Sequence, residues 1–533
     1  MSRTIVLVLA VVFCESVAYP RQQYVRKNAY SAAAKADLDA MRKAFGIMRS
    51  LPCTNPLSWY YQGGIHHIPD TINGKNVYCP QYQNVSQLMP GWATCPHMKD
   101  GYADIHFLTW HRLYVYYLEK IVRKLSGKKD FAVPYWDYFD PATRTMPEAF
   151  RIPADSSKNS LYEKGRSLTL LKGVPIDDQS SDVVVTSTKV CRTVNNKTTC
   201  VDTVIAMCGV PMGVALNLDY LWETTSIYHF SSEMEDAVHN VMHDYIGGAV
   251  DSIDAATPIY NRIYQKTTNT LQGLMADVPS AAFDPIFWLH HSNLDRVWMA
   301  WEYDHPQYRM TWEQFQKAGN WTYFFFDENG TKVVYTSMEQ VYDSVRAINY
   351  TYDDMPPEEK IASLMAVAPV APAAEKVIGT LKPNVALQGY FHQFSVNLNT
   401  PINVGPTSKA TYSMEMQISF AGTSETKLVI SLYDNDLKTI CDSDRKTIVS
   451  LTGFFGAGPH TQVVMQGNTG HDHAAASAYA QTVVTLPYDI TDELKASVID
   501  NPKLLRVSVW QNPPNPSNPI TVKQIIIKEN TRK

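Results

Sequence analysis

Residues 283–298, Phe-Asp-Pro-Ile-Phe-Trp-Leu-His-His-Ser-Asn-Leu-Asp-Arg-Val-Trp, constrain this chain more than any other stretch. Asp284 followed by Pro285 reads as a helix start, with Asp284 as the cap and the proline in the first turn. From there Phe287, His291, Leu294 or Asp295, and Trp298 share one helical face. A neutral imidazole on an apolar face is a good soft-metal ligand, and an acid one turn later can orient it. Taken alone, a His-His pair in a helix is more often structural than metal-binding.

Two further stretches shift that balance. Glu235-Asp236-Ala237-Val238-His239-Asn240-Val241-Met242-His243 places two imidazoles at i and i+4, a chelating geometry. No acid stands in the His-Glu-x-x-His position, which argues against zinc protease chemistry. The third stretch runs from Cys95-Pro96-His97 to Ile105-His106-Phe107-Leu108-Thr109-Trp110-His111-Arg112. Phe107 precedes His111 by four residues, as Phe287 precedes His291. Two modules, each ending in an aromatic-lined histidine helix, predict two metals sharing one pocket. An all-imidazole shell suits copper, and also zinc or iron.

Phe-Leu-Thr-Trp-His-Arg at 107–112, Val-Pro-Tyr-Trp-Asp-Tyr at 133–138 and Asp-Pro-Ile-Phe-Trp-Leu-His-His-Ser-Asn-Leu-Asp-Arg at 284–296 resemble, in order, the signatures of the type 3 (binuclear) copper proteins. These are tyrosinases, catechol oxidases and molluscan-type hemocyanins. The layout is most similar to plant-type polyphenol oxidases with a C-terminal shielding domain. The resemblance implies two copper ions. His239, His243 and His291 would hold copper B, with His290 facing away from the metal. His111 and His66 would hold copper A, with His67 the alternative to His66 in Gly63-Gly64-Ile65-His66-His67. The third copper A ligand usually lies nine residues before the helix histidine, where this chain has Tyr102. His97 is the expected ligand, across a five-residue insertion between Met98 and Asp104, and His106 is the alternative. Five residues on a helix point two rings apart. Cys95 and His97 resemble the family's cysteine–histidine thioether pair.

The same resemblance assigns roles beyond the ligands. Glu235 and Asn240 resemble a pair that holds a water able to take a phenol proton. The alternative for Glu235 is an acid favoured by a helix N-terminus. Val278 stands where some relatives carry a bulky phenylalanine over the copper, so it bears on substrate access. Asp244, just after His243, would repel carboxylate-bearing phenols. Asp295 is the expected acceptor behind the copper B histidines, the alternative being a salt bridge to Arg112 or Arg296.

The rest of the chain supplies context. Its 533 residues allow two or three domains and a large core. A net charge of −5 implies no nucleic-acid partner. Residues 1–18 read as a secretory signal: Arg3, an apolar run from Ile5 to Phe13, then Ser16-Val17-Ala18. That run is too short to span a bilayer, so no membrane partner is expected. Asn84, Asn196, Asn320, Asn329 and Asn349 head N-x-S/T sequons, as in a secreted glycoprotein. Seven cysteines follow Cys14. Cys191 and Cys200 flank a turn and read as a pair; Cys53 with Cys79 is a second, and Cys208 with Cys441 is what remains.

A helix is predicted over 29–50, with Leu38, Met41, Ala44, Phe45 and Met48 on one face. A hairpin is expected at 183–206 inside a loop-rich excursion. The expected fold class is a mainly α catalytic core, a four-helix bundle around a binuclear copper site, plus a C-terminal antiparallel β-sandwich. The copper domain spans 19–353, its segment 320–353 closing in Tyr350-Thr351-Tyr352, whose motif resembles the end of the plant core. Residues 354–376 read as a linker and 377–533 as the shielding sandwich, whose His460, His471 and His473 are expected in loops.

These features lead to a secreted copper oxidase that hydroxylates monophenols and oxidises catechols with O2, made latent and activated by a protease. A catechol oxidase without monophenol activity is the nearer alternative. A hemocyanin-like oxygen carrier shares the ligand set but usually comes as tandem copper units, whereas this chain has one of each copper stretch. A copper-free relative is a third.

Overall fold

The computed structural model describes residues 24–67, 94–96, 105–176, 183–208, 216–248, 273–356, 374–432, 448–452, 481–496, 503–512 and 519–531, apart from isolated positions and residues 422–426. The expected signal, Cys79, Asn84, His97, residues 357–373 of the linker, Cys441, His460, His471 and His473 lie outside the described residues.

Six of the described helices of the first domain frame the site. α1 (Lys35–Ser50) buries Leu38, Met41, Ala44, Phe45 and Met48 as one stripe, and begins later than residue 29 because Ser31 caps a separate 3-10 turn. α2 (Trp59–His66) is short and capped by Ser58. α3 (Ile105–Ser126) is buried on every side from Ile105 to Val115, so it is the central helix. α4 (Ile227–Glu233), a π-helical turn (Met234–His239) and α5 (Asn240–Gly247) form one continuous run. α6 (Ile286–Asp304) follows Pro285, and Asp284 accepts the Ile286 N–H at 3.0 Å, close to the predicted cap. α1, α4 and α6 all pack on α3. None of the described helices is long and apolar enough to cross a membrane.

One buried charge network ties the two ends of the helical domain to this bundle. β1 (Tyr24–Arg26) pairs in parallel with β6 (Tyr350–Tyr352). Arg26 reaches Glu119 on α3 and Asp295 on α6, each at 2.9 Å. Arg112 meets the other Asp295 oxygen at 2.5 Å, and the hydroxyls of Tyr350 and Tyr352 donate to the first. Burial alone would raise the Asp295 carboxyl. Arg112, Arg26 and the two hydroxyls hold it below its ordinary range instead. Asp295 is therefore not the acceptor behind the copper B histidines that the sequence suggests. Both oxygens are taken by arginines and tyrosines, and the salt bridge to Arg112 is what forms; Arg296 pairs with Asp137 and Asp354.

The remaining strands are β2 (Val183–Val194), β3 (Lys197–Cys208), β4 (Phe324–Phe326), β5 (Lys332–Val334), β7 (Ala374–Leu381), β8 (Val385–Ala386), β9 (Phe391–Asn397), β10 (Thr411–Ala421), β11 (Lys427–Ser431), β12 (Ile448–Thr452), β13 (Gln481–Asp489), β14 (Leu504–Asn512) and β15 (Thr521–Thr531). β4 and β5 make a small hairpin of their own. One sheet runs β13-β10-β15-β7 with β8 beside β15, and the other β12-β11-β14-β9-β2-β3. Inward residues such as Phe394, Val396, Met414, Ile418, Val507 and Ile525 form a second apolar core between them. The hairpin expected near 183–206 exists, with Cys191 and Cys200 directly opposite and disulfide-bonded. Its membership in the sandwich sheet was not legible in the sequence. Cys53 is also in a disulfide.

Asp295→Ala strands Arg112 as an uncompensated buried cation and leaves Arg26 with Glu119 alone. The expected loss is about 3–5 kcal/mol of stability, read by chemical denaturation against the unaltered chain.

Candidate metal centre

Seven buried donor side chains converge in two groups. His239, His243, His290 and His291 form one, and His66, Cys95 and His111 the other; within each group the donor atoms lie within 4.8 Å of one another. α2 supplies His66, α3 His111, the π turn and α5 His239 and His243, and α6 the pair His290–His291. The two groups meet where the His111 and His291 rings stack, 4.1 Å apart and 4° from parallel. Phe107 lies 4.7 Å from the His239 ring and Phe287 4.1 Å from His291, so each phenylalanine walls a histidine.

Four of the imidazoles share one device. His66 Nδ1 lies 3.2 Å from the Val278 carbonyl, His111 Nδ1 2.8 Å from Phe107 O, and His243 Nδ1 2.8 Å from Met275 O. His239 Nδ1 lies 2.9 Å from Asn240 Oδ1. A carbonyl oxygen only accepts, so each Nδ1 carries the proton and each Nε2 presents a lone pair. Close backbone approach makes this possible. A Cβ at Gly247 would stand 2.3 Å from the Ala276 nitrogen, beside the Met275 carbonyl that His243 needs. A Cβ at Gly63 would strike the Phe283 ring at 2.6 Å, which explains a glycine just before His66.

Burial disfavours the charged form of the His290 and His291 rings. Burial, then the neighbouring imidazoles His111, His290, His239 and His243, keep His291 well below its usual pKa. Burial pushes His290 down to about 3. Buried, neutral imidazoles with one thiol, and no carboxylate in either group, fit a soft or borderline metal such as copper and exclude the oxygen-rich shells of calcium and magnesium.

His66, Cys95, His111, His239, His243 and His291 fall within the two groups. His106 does not: its ring bonds the Tyr323 hydroxyl at 2.9 Å and the Gly319 carbonyl at 3.1 Å and stacks on Trp321, away from both groups. His67 is buried just beyond α2 but belongs to neither group. His290 departs from expectation. It does not face away: its ring stacks on His239 at 5.5 Å and meets His243 edge-on at 4.7 Å. Its Nδ1 is satisfied by the Tyr138 hydroxyl at 3.0 Å, while Nε2 has no partner among the described residues. Tyr138, from the Val-Pro-Tyr-Trp-Asp-Tyr stretch, thus sets the ring, a link that spacing along the chain does not reveal. Cys95 Sγ lies 3.2 Å from His111 Nε2. Glu235 is buried inside the continuous helical run rather than at a helix N-terminus. Asp244 is half-buried and Val278 buried, the latter contributing its carbonyl to His66.

Residues 56–304 match the family model for the common central domain of tyrosinase. A tyrosinase (HcTyr1) of Hahella sp. (strain CCB-MM4) is 25% identical over 305 residues, covering 52% of this chain and 53% of that protein. A chloroplastic polyphenol oxidase of Vitis vinifera is 25% identical over 335 residues, covering 60% and 46%. The chain spans about half the length of the curated relatives it matches. Latent apple tyrosinase superposes with a TM-score of 0.56 at 17% identity, over 96% of this chain and 98% of that one. A latent aurone synthase (polyphenol oxidase) does so with 0.59 at 17%, over 96% and 90%. These structures share the fold, helical core and C-terminal domain together.

Two variants separate the candidate ligands by metal analysis. His106→Gln should keep both metals, whereas His97→Gln should cost the His66–Cys95–His111 group its ion. The reverse result would relocate the third ligand.

Proposed function

We propose that this chain, whose residues 56–304 match the family model for the common central domain of tyrosinase, is a type 3 copper phenol oxidase using O2. The observation that carries this reading is the face-to-face stacking of His111 and His291, which puts two buried donor groups on either side of one small space. Copper A would be held by His66, His97 and His111, and copper B by His239, His243 and His291. Bound there, the copper pair would supply the redox chemistry: a catechol gives up two electrons and two protons to become an o-quinone while O2 is reduced to water, and a monophenol also takes one oxygen atom from O2.

The protein's own part is orientation and proton handling. The backbone carbonyls and Asn240 fix the ligand tautomers, and the apolar walls exclude bulk water. A free phenol has a pKa of about 10, so its approach to the metal calls for a base. Glu235, one turn before His239 and buried, is that base in this reading, acting through a water shared with Asn240. Asn240 has a second duty, since its Oδ1 already accepts from His239. Val278 leaves room for a phenol ring, and Asp244 disfavours phenols bearing a carboxylate. We also read the chain as secreted, glycosylated at its sequons and latent. β12 packs on the π turn and α5, and β13 on α4, so the sandwich lies against the helices bearing His239 and His243, which supports latency.

Glu235→Gln should lower monophenol hydroxylation by about 10²-fold while leaving catechol oxidation and copper content nearly intact. Asn240→Gly should lose hydroxylation too, and copper B affinity with it. An unchanged ratio of the two activities in both variants removes the proton-handling role. Catechol-dependent oxygen uptake should rise strongly after mild detergent, or after protease digestion that degrades the sandwich itself rather than only its connection. Reversible oxygen binding with no quinone under either treatment would identify a carrier instead.

A further inference from the structure

The β2–β3 hairpin belongs, by sequence, to the helical domain, yet it completes a sheet of the sandwich. Val190–Val194 of β2 pair in parallel with Phe391–Ser395 of β9. Parallel pairing normally comes from a crossover connection within one unit. Here the two strands approach from domains joined only through residues far along the chain, so the ladder is a junction between domains.

Side chains reinforce it on both faces. On the sandwich side His392 is buried at 1% exposure, its Nε2 2.8 Å from the Thr193 hydroxyl, which also meets Thr198 at 2.8 Å. The His392 ring stacks on Phe394 at 4.4 Å. On the other face Phe391 and Trp510 leave the sandwich core and enter the core of the helical domain. At the tip, Asn397 Nδ2 donates to Asn195 at 2.7 Å. The Cys191–Cys200 disulfide lies within this paired stretch and fixes the hairpin's own register, so the β2 edge is presented preformed.

We propose that this seam makes the sandwich a self-bound inhibitory subunit: cutting the connection between the domains does not release it, and exposure of the copper pocket requires the β2–β9 ladder to open. The occupant of the hairpin edge is this chain's own strand Phe391–Asn397. The energetic reasoning is direct. A five-residue ladder, a buried histidine–threonine bond and two aromatic anchors survive the loss of one covalent link, which only lowers their effective concentration from an intramolecular value. The proposal rests on the latency reading above for its consequence, but not for the seam itself.

The test uses the full chain carrying Cys441→Ser, so that no Cys208–Cys441 disulfide can bridge the cut, with a protease site inserted after Pro356. After cleavage the two fragments should separate on a denaturing gel yet co-elute at the full-length position in native size exclusion at micromolar concentration, and oxygen uptake with catechol should stay at its latent level. Amides of residues 391–395 should remain protected from hydrogen exchange. Thr193→Val, which removes the partner of a buried imidazole, and Thr193→Pro, which also removes a ladder N–H, should let the cleaved fragments part, with at least a tenfold rise in dissociation rate. Thr193→Val alters one hydroxyl and serves if the proline variant does not fold. Wild-type fragments that part on cleavage, or seam variants that stay together as tightly as wild type, overturn the proposal. Co-eluting fragments whose activity was already full before cleavage would leave the seam standing and remove latency instead.

Discussion

The centre depends on one repeated interaction: a histidine Nδ1–H given to a fixed oxygen. His66, His111 and His243 use main-chain carbonyls and His239 uses Asn240, so the metal-facing nitrogens are chosen before any ion arrives. Carbonyls serve this purpose in an apolar pocket because they add no charge and need no side chain. They also impose demands on distant chain. Val278 and Met275 must be delivered to within hydrogen-bond reach of two separate helices, and Gly247 stands where the delivery of Met275 leaves no space for a Cβ.

Around the centre lies a charged frame with a different task. Asp295 gathers Arg26, Arg112, Tyr350 and Tyr352, residues from the first strand to the last strand of the helical domain. Arg112 also lies flat on Trp298, 3.5 Å from its ring centre, and Arg26 on Tyr350 at 3.7 Å. Delocalised guanidinium groups suit such sites, since they stack and bond at once. The frame locks α3 against α6, and those helices carry His111 and His291. Its geometry therefore sets the separation of the two metal groups without touching either.

Much of this was legible in the sequence because it is written locally. The i, i+4 pair His239–His243 and the aromatic four residues before His111 and His291 are helix-face statements, and the helices formed. The alternating runs of the C-terminal half gave strands for the same reason. What was not legible depends on contacts between distant residues. Nothing near Asp295 says that Arg26 will reach it across 269 positions. His290 could not be oriented without Tyr138, 152 residues away. The hairpin signalled its own turn and disulfide, but its outer partner is a strand 199 residues downstream.

That last separation has a consequence for how the chain is made. At roughly 5–20 residues per second, β9 leaves the ribosome some 10–40 s after β2. Through that interval the hairpin has an unpaired edge, the kind of template on which strangers add strands. It meets the hazard with its own sequence: Lys189, Arg192, Lys197 and Asp202 stand exposed along the two strands, and the cross-strand disulfide keeps them in register. The waiting hairpin is thus a nascent-chain risk that its charges oppose, and the Cys191–Cys200 bond keeps the waiting edge in the register that β9 will need.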